Sequence, residues 1–188
     1  MMMMAYPNLP DIDSLATYQP KMPLRVFSAD NMLIGEFGEE RRSLVRYKDI
    51  PKVMKQAVLA IEDDRYYEHG AVNVSSILRA TLANLAAGSV TQGGSTITQQ
   101  LVKKAVIGDS SQTFARKFQE IAIGIRLEQR YTKDEILAMY LNEVYFGNGV
   151  YGIGTASRYY FGVAASELDL PQAALLAGLI RSPATYDP

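Results

Sequence analysis

Pro51-Lys52-Val53-Met54-Lys55-Gln56-Ala57-Val58-Leu59-Ala60-Ile61-Glu62-Asp63-Asp64-Arg65-Tyr66-Tyr67-Glu68-His69 is the stretch on which the reading of this chain turns. Val53, Met54, Ala57, Val58 and Ile61 recur at three- and four-residue steps, the spacing of one apolar helix face. Pro51 suits a first turn, where its missing N–H would have had no partner. The segment predicts an amphipathic helix with Glu62 near its C-terminal end. Three carboxylates then crowd Glu62, Asp63 and Asp64, which reads either as a solvated acidic helix end or as a place where one carboxylate serves as general base. His69 is the only histidine. One histidine cannot build a multi-histidine metal site, so it reads as a hydrogen-bonding group that holds the loop after Glu62, with a ligand or proton-shuttle role as the alternative.

Downstream, periodicity predicts more helices. One starts near Val74, carries Ile77, Leu78, Thr81, Leu82 and Leu85 on one face and stops at Gly88. Another follows Gly93-Gly94, capped by Ser95 or Thr96, with Ile97, Leu101 and Val102 facing inward. The longest runs from about Thr113 to Arg130 with a stripe of Phe114, Phe118, Ile121 and Ile125. Thr132-Lys133-Asp134-Glu135 has capping-box form and opens a helix through Leu141. Two more lie near Thr155 to Tyr160 and Pro171 to Ile180. Upstream, Leu24 to Phe27 and Met32 to Phe37 flank a polar turn and predict a β-hairpin. Residues 1–23, with Pro7, Pro10, Pro20 and Pro23, read as an extended leader. The fold class expected is mainly α.

The chain has 188 residues, 48% of them hydrophobic, enough for a substantial core. Zero cysteines exclude disulfides and cysteine-ligated zinc without fixing a compartment. A net charge of −1 speaks against broad nucleic-acid attraction, so any anion site must be local. No apolar run approaches the roughly 20 residues of a membrane-spanning helix.

Two further segments carry chemistry. Glycines in Gly93-Gly94-Ser95-Thr96 allow close backbone approach, and the helix start just after them presents N–H groups to an anion. An ordinary loop and cap is the plainer reading. Gln99-Gln100 and Lys103-Lys104 add amides that can read sugar hydroxyls and ammonium groups that can meet phosphate. Arg116-Lys117 with Glu120 is either a surface salt bridge, worth under about 1 kcal/mol, or a diphosphate site with a second carboxylate. Tyr140-Leu141-Asn142 and the run Tyr145 to Gly154 read mainly as packing and turns, with Asn142 able to support the carboxylate at Glu62.

Taken in order, these segments resemble the peptidoglycan glycosyltransferase domain, glycosyltransferase family 51, of bifunctional penicillin-binding proteins and monofunctional transglycosylases. The blocks are Glu62-Asp63 with Tyr66 and His69; Gly93 to Gln100; Arg116-Lys117 with Glu120; Lys133, Ile136 and Tyr140-Leu141-Asn142 leading to Gly147; and Ala177-Gly178-Leu179 with Pro183. The resemblance covers roughly residues 24–188. It implies a lysozyme-like helical head, a membrane-facing jaw at about 102–118, a hairpin linker over 24–48 and a glycosyltransferase domain over 49–188. It implies lipid II and the growing glycan strand as substrates, and inverting transfer into β-1,4 linkages. Glu62 is then the general base, with Asp63 supporting it. Ser95, Thr96, Gln100, Lys103, Arg116 and Lys117 contact the donor's diphosphate and sugar. Glu120 is the second carboxylate, set against a cationic side chain or a divalent cation, magnesium or manganese. No organic cofactor is expected.

The resemblance also implies a place at the outer face of the bacterial cytoplasmic membrane, in contact with its surface. The chain then reads as an ectodomain beginning just after an anchor, with a transpeptidase domain as an absent partner. The family's phosphoglycolipid inhibitor, moenomycin, should bind. Tyr66 stands where phenylalanine is usual, so its hydroxyl needs a partner if buried. Ala71 stands where glycine is usual, which is strained if φ there is positive. Gln112 stands where a basic residue is common. A lysozyme-like lytic enzyme is a different reading, disfavoured by Lys103, Arg116 and Lys117, since finished glycan carries no diphosphate. A lipid II-binding module of impaired turnover is a third.

Overall fold

The structure is a computed structural model that describes residues 24–37, 43–89, 93–107 and 113–186. The expected leader and Gln112 lie outside the described residues. The chain is mostly helical with one small sheet, as expected, and divides into two compact units. Among the described residues one comprises 62–140, the other 24–61 and 141–186.

In the second unit, β1 (Leu24–Phe27) pairs antiparallel with β2 (Leu33–Phe37), Leu24 opposite Phe37 and Val26 opposite Gly35. Asn31 closes the turn at φ 66°, and the Ser28 hydroxyl donates to the Met32 carbonyl at 3.1 Å. Helix α1 (Lys52–Glu62) buries Met54 and Val58, two of the positions its periodicity picks out. The aromatic-glycine run folds as a tight turn: Phe146 N–H donates to Val150 O at 2.9 Å, and the Tyr160 hydroxyl to Phe146 O at 2.8 Å. Gly152 is obligatory, since its φ is +77° and a Cβ would lie 2.7 Å from the Asn142 carbonyl oxygen.

The first unit holds the next helices. α2 (Val74–Ala87) is capped by Asn73, whose side chain accepts the Ser76 N–H, and stops at Gly88 in the left-handed conformation. α3 (Ile97–Leu101) continues into a π-helical turn, Val102–Ile107. α4 (Phe114–Arg130) comes next, then α5 (Lys133–Glu143), whose last three residues are counted with the second unit. α6 (Ile153–Phe161), α7 (Leu170–Arg181) and the short α8 (Pro183–Tyr186) belong to the second unit. Tyr66, Ile97, Leu101, Val102, Ile123, Leu127, Ile136 and Tyr140 form the core of the first unit.

Two expected faces are corrected. The α4 stripe of Phe114, Phe118 and Ile125 is exposed, Phe114 at 98%, while Arg116, Glu120, Ile123, Gly124 and Leu127 are buried. On α2, Ile77, Leu78, Leu82 and Leu85 are exposed and Ala80 is the buried residue. Ala71 escapes the strain that a positive φ would impose: among the described residues the non-glycine positions with positive φ are Asn31 and Asn148. Ala71 is instead buried beside α4, where a Cβ on Gly124 would come 3.4 Å from its own.

The predicted capping box at α5 forms. Glu135 accepts the Thr132 N–H at 2.8 Å, and Thr132 Oγ1 accepts the Glu135 N–H at 3.3 Å. The Thr132 backbone bond, then its hydroxyl, holds the Glu135 carboxyl below its ordinary value of 4.5. A depressed carboxylate stabilises the fold fully above its unfolded value and loses that contribution as pH falls through the folded one. Glu135→Gln should therefore lower the melting temperature slightly at pH 7, by an amount that water screens. The difference should shrink progressively below about pH 4.5, measured by thermal melts of both proteins across pH.

Candidate active site

Glu62 ends α1, and the loop beyond it is held by Asp63. The buried Asp63 carboxylate lies with Oδ1 2.6 Å from His69 Nε2, and Oδ2 accepts the Ile97 N–H at 3.2 Å. His69 Nδ1 lies 2.6 Å from the Gly70 carbonyl oxygen. His69 thus bonds within the loop that follows Glu62, and Asp63 ties that loop to the first turn of α3. A second tie comes from Thr96, whose hydroxyl donates to Ala71 O at 2.8 Å while capping α3 by accepting the Gln99 N–H at 3.2 Å. One turn along, Gln100 Nε2 donates to Glu62 Oε2 at 2.7 Å. Glu62 is half-buried, and among the described residues its Oε1 takes no hydrogen bond.

Tyr66 answers the question its hydroxyl raises. It is buried, and the hydroxyl donates to Lys133 O at 2.9 Å. Burial first, and the Glu128 charge second, raise this phenol above its ordinary range, so it remains a donor. Lys133 Nζ sits over the same ring, 4.4 Å from its centroid, and donates to Glu128 at 2.8 Å; Thr98 Oγ1 donates to that oxygen at 2.6 Å.

Arg116, Lys117 and Glu120 form the second cluster, and it is no surface salt bridge. The Glu120 side chain is 2% exposed, with Arg116 Nε 3.1 Å from Oε1 and Lys117 Nζ 2.9 Å from Oε2. The Lys117 ammonium also donates to Ser95 Oγ at 3.0 Å and Gln99 Oε1 at 3.3 Å, so its three protons meet three acceptors. Thr113, Phe114, Arg116 and Lys117 line a cavity of about 260 Å³ at the N-terminus of α4. Two cations beside the positive end of a helix dipole are an arrangement able to bind an anion.

The structure thus joins Ser95, Lys117, Glu120 and Arg116 in one cluster, and Asp63, His69, Thr96, Gln100 and Glu62 in another, all within the first unit. Lys103 is exposed on the π-helical turn. Asn142 belongs to the second unit, where its amide exchanges two bonds with the Val45 backbone, each 2.9 Å. Sequence reasoning missed Gln99 as an acceptor for Lys117, although its third place after the Thr96 cap was a signal. It also read Tyr140 mainly as packing, without its bond to Gln100.

Of the two partners expected for Glu120, the donor set fits the cationic side chains. Both of its oxygens face cations already, and among the described residues no three of His, Cys, Asp or Glu gather as metal ligands. A divalent ion does not fit there without displacing Arg116 or Lys117.

A model of the transglycosylase family matches residues 30–188, and the chain belongs to that family. The part matched is a transglycosylase domain. Penicillin-binding protein 1A of Neisseria gonorrhoeae is 45% identical over 186 residues, 99% of this chain and 23% of that protein. The protein of the same name from Pseudomonas aeruginosa is 41% identical over 182 residues, 97% of this chain and 22% of its own length. A crystal structure of penicillin-binding protein 1A from Haemophilus influenzae aligns with 89% of this chain and 15% of that one, at 26% identity and a TM-score of 0.44. The chain therefore spans about a quarter of the length of these relatives.

Removing one cation of this buried cluster leaves Glu120 with Arg116 alone and opens one of its oxygens. Lys117→Met should lower unfolding free energy by about 1–3 kcal/mol, less than a fully buried pair because the lysine is partly exposed. Adding Glu120→Gln to that variant should deepen the loss, because it takes the carboxylate away from the buried Arg116 as well. Urea unfolding of the three proteins checks both statements.

Proposed function

We propose that this domain polymerises lipid II into β-1,4 glycan strands by inverting transfer, releasing the lipid diphosphate. Glu62 takes the proton from the acceptor sugar's 4-hydroxyl through its free Oε1, while Gln100 holds Oε2. The hydroxyl oxygen bonds to the donor's anomeric carbon as the bond from that carbon to the diphosphate oxygen breaks. The departing electrons stay on the diphosphate, a stabilised anion that needs no proton, unlike the alkoxide a glycosidase must protonate. Arg116 and Lys117 meet that anion at the N-terminus of α4, and Glu120 keeps their side chains in place. An axial donor and an equatorial product make this a single displacement.

One observation carries the reading: the same compact unit holds a carboxylate with one bound and one open oxygen and a cation cluster at a helix start beside a cavity. Membrane contact and a location at the outer face of the cytoplasmic membrane complete the proposal. Exposed Val74, Leu78, Leu82, Leu85 and Phe114 support the former. Among the described residues no helix is long and apolar enough to cross a membrane. The relatives are named as penicillin-binding, which supports a transpeptidase domain as partner in the whole protein.

Glu62→Gln should reduce polymer formation from lipid II by at least about 100-fold, the scale of a lost general base. Moenomycin affinity should stay within about twofold, since the cation cluster is untouched. Polymerisation at the wild-type rate would remove Glu62 from the reaction.

A further inference from the structure

Tyr140, on α5, is wholly buried, and a buried phenol must place its hydroxyl against a partner. That partner is Gln100 Oε1, 3.3 Å away. The other end of the same amide, Nε2, donates to Glu62 Oε2 at 2.7 Å. An amide has a donating and an accepting end, and exchanging them would turn its carbonyl oxygen onto the Glu62 carboxylate, acceptor against acceptor. Something must hold the amide the right way round. The Glu62 carboxylate, which only accepts, sets that sense itself, and the Tyr140 hydroxyl, donating to Oε1, anchors the far end of the amide and so fixes where Nε2 meets the carboxylate.

We infer that Tyr140 is a positioning residue for Glu62, fixing through Gln100 which carboxylate oxygen is bound and which stays open to the acceptor hydroxyl. The inference rests on the proposed role of Glu62 as base. Burial first, and the Glu62 charge second, push the Tyr140 phenol well above its ordinary range, so the hydroxyl keeps the proton that the arrangement requires. Lys104 Nζ lies 5.9 Å from the centre of the Tyr140 ring, toward the edge of cation–π range. The ring serves the core, and the hydroxyl serves the site.

Tyr140 acts on the orientation of the base and touches no substrate, so its loss should appear in turnover rather than in binding. In the intact protein acting on lipid II, Tyr140→Phe should lower kcat about fivefold and leave KM within about twofold. Its effect should vanish in a Gln100→Ala background, because nothing remains for the hydroxyl to orient. The same fivefold loss in that background would mean that Tyr140 acts through the fold, and would overturn the inference. So would a wild-type kcat for Tyr140→Phe. If Tyr140→Phe fails to fold, Tyr140→Met serves in its place under the same cycle, since it too removes the hydroxyl and fills the space. Glu62→Gln, assayed alongside, separates the two ideas: full activity there dismisses the base, whereas an inactive Glu62→Gln with additive Tyr140 and Gln100 effects dismisses only the positioning.

Discussion

The buried carboxylate of Asp63 is the constraint on which the arrangement around Glu62 depends. A carboxylate with so little exposure must find donors for both oxygens, and it finds His69 on one side and the Ile97 N–H on the other. These two partners come from segments far apart in the sequence, the loop after α1 and the start of α3. Once they are joined, Gln100, one helical turn beyond Ile97, meets Glu62, the immediate neighbour of Asp63. Thr96 reinforces the joint from the other side by bonding the Ala71 carbonyl.

The second centre obeys the same rule of burial with opposite charges. α4 turns Phe114 and Phe118 outward and Arg116 and Glu120 inward, reversing the usual sorting of apolar and charged residues. Burying ions is costly, and apolar replacements of equal volume are often no less stable. A helix that keeps Arg116, Lys117 and Glu120 in contact while exposing two phenylalanines departs from that sorting in the way the proposed anion and membrane contacts require.

Element positions were legible because punctuation is local chemistry. Gly88 in the left-handed conformation, Thr96 with Gln99, Thr132 with Glu135 and the hairpin turn at Asn31 act through neighbours in sequence. Faces were less legible. Periodicity in α2 and α4 located helices, but it assigns the apolar stripe to the core, and in both the stripe is exposed. The ordered blocks brought out Glu62, Gln100 and the cation cluster. The sequence held nothing to say that Tyr66 would bond Lys133 O, that Asn142 would hold Val45, or that Tyr140 would reach Gln100, because such partners lie tens of residues away.

Asp63→Asn tests most directly whether this clamp sets the geometry of the proposed base. An amide can accept from only one of the two partners and presents N–H groups to the other. The melting temperature should fall by a few degrees, for a loss of about 1–3 kcal/mol. In the same protein, at a temperature where it is still folded, kcat on lipid II should fall about tenfold. A variant with a lowered melting temperature and an unchanged kcat would show that Glu62 keeps its place without Asp63, and would contradict the central role given to the clamp.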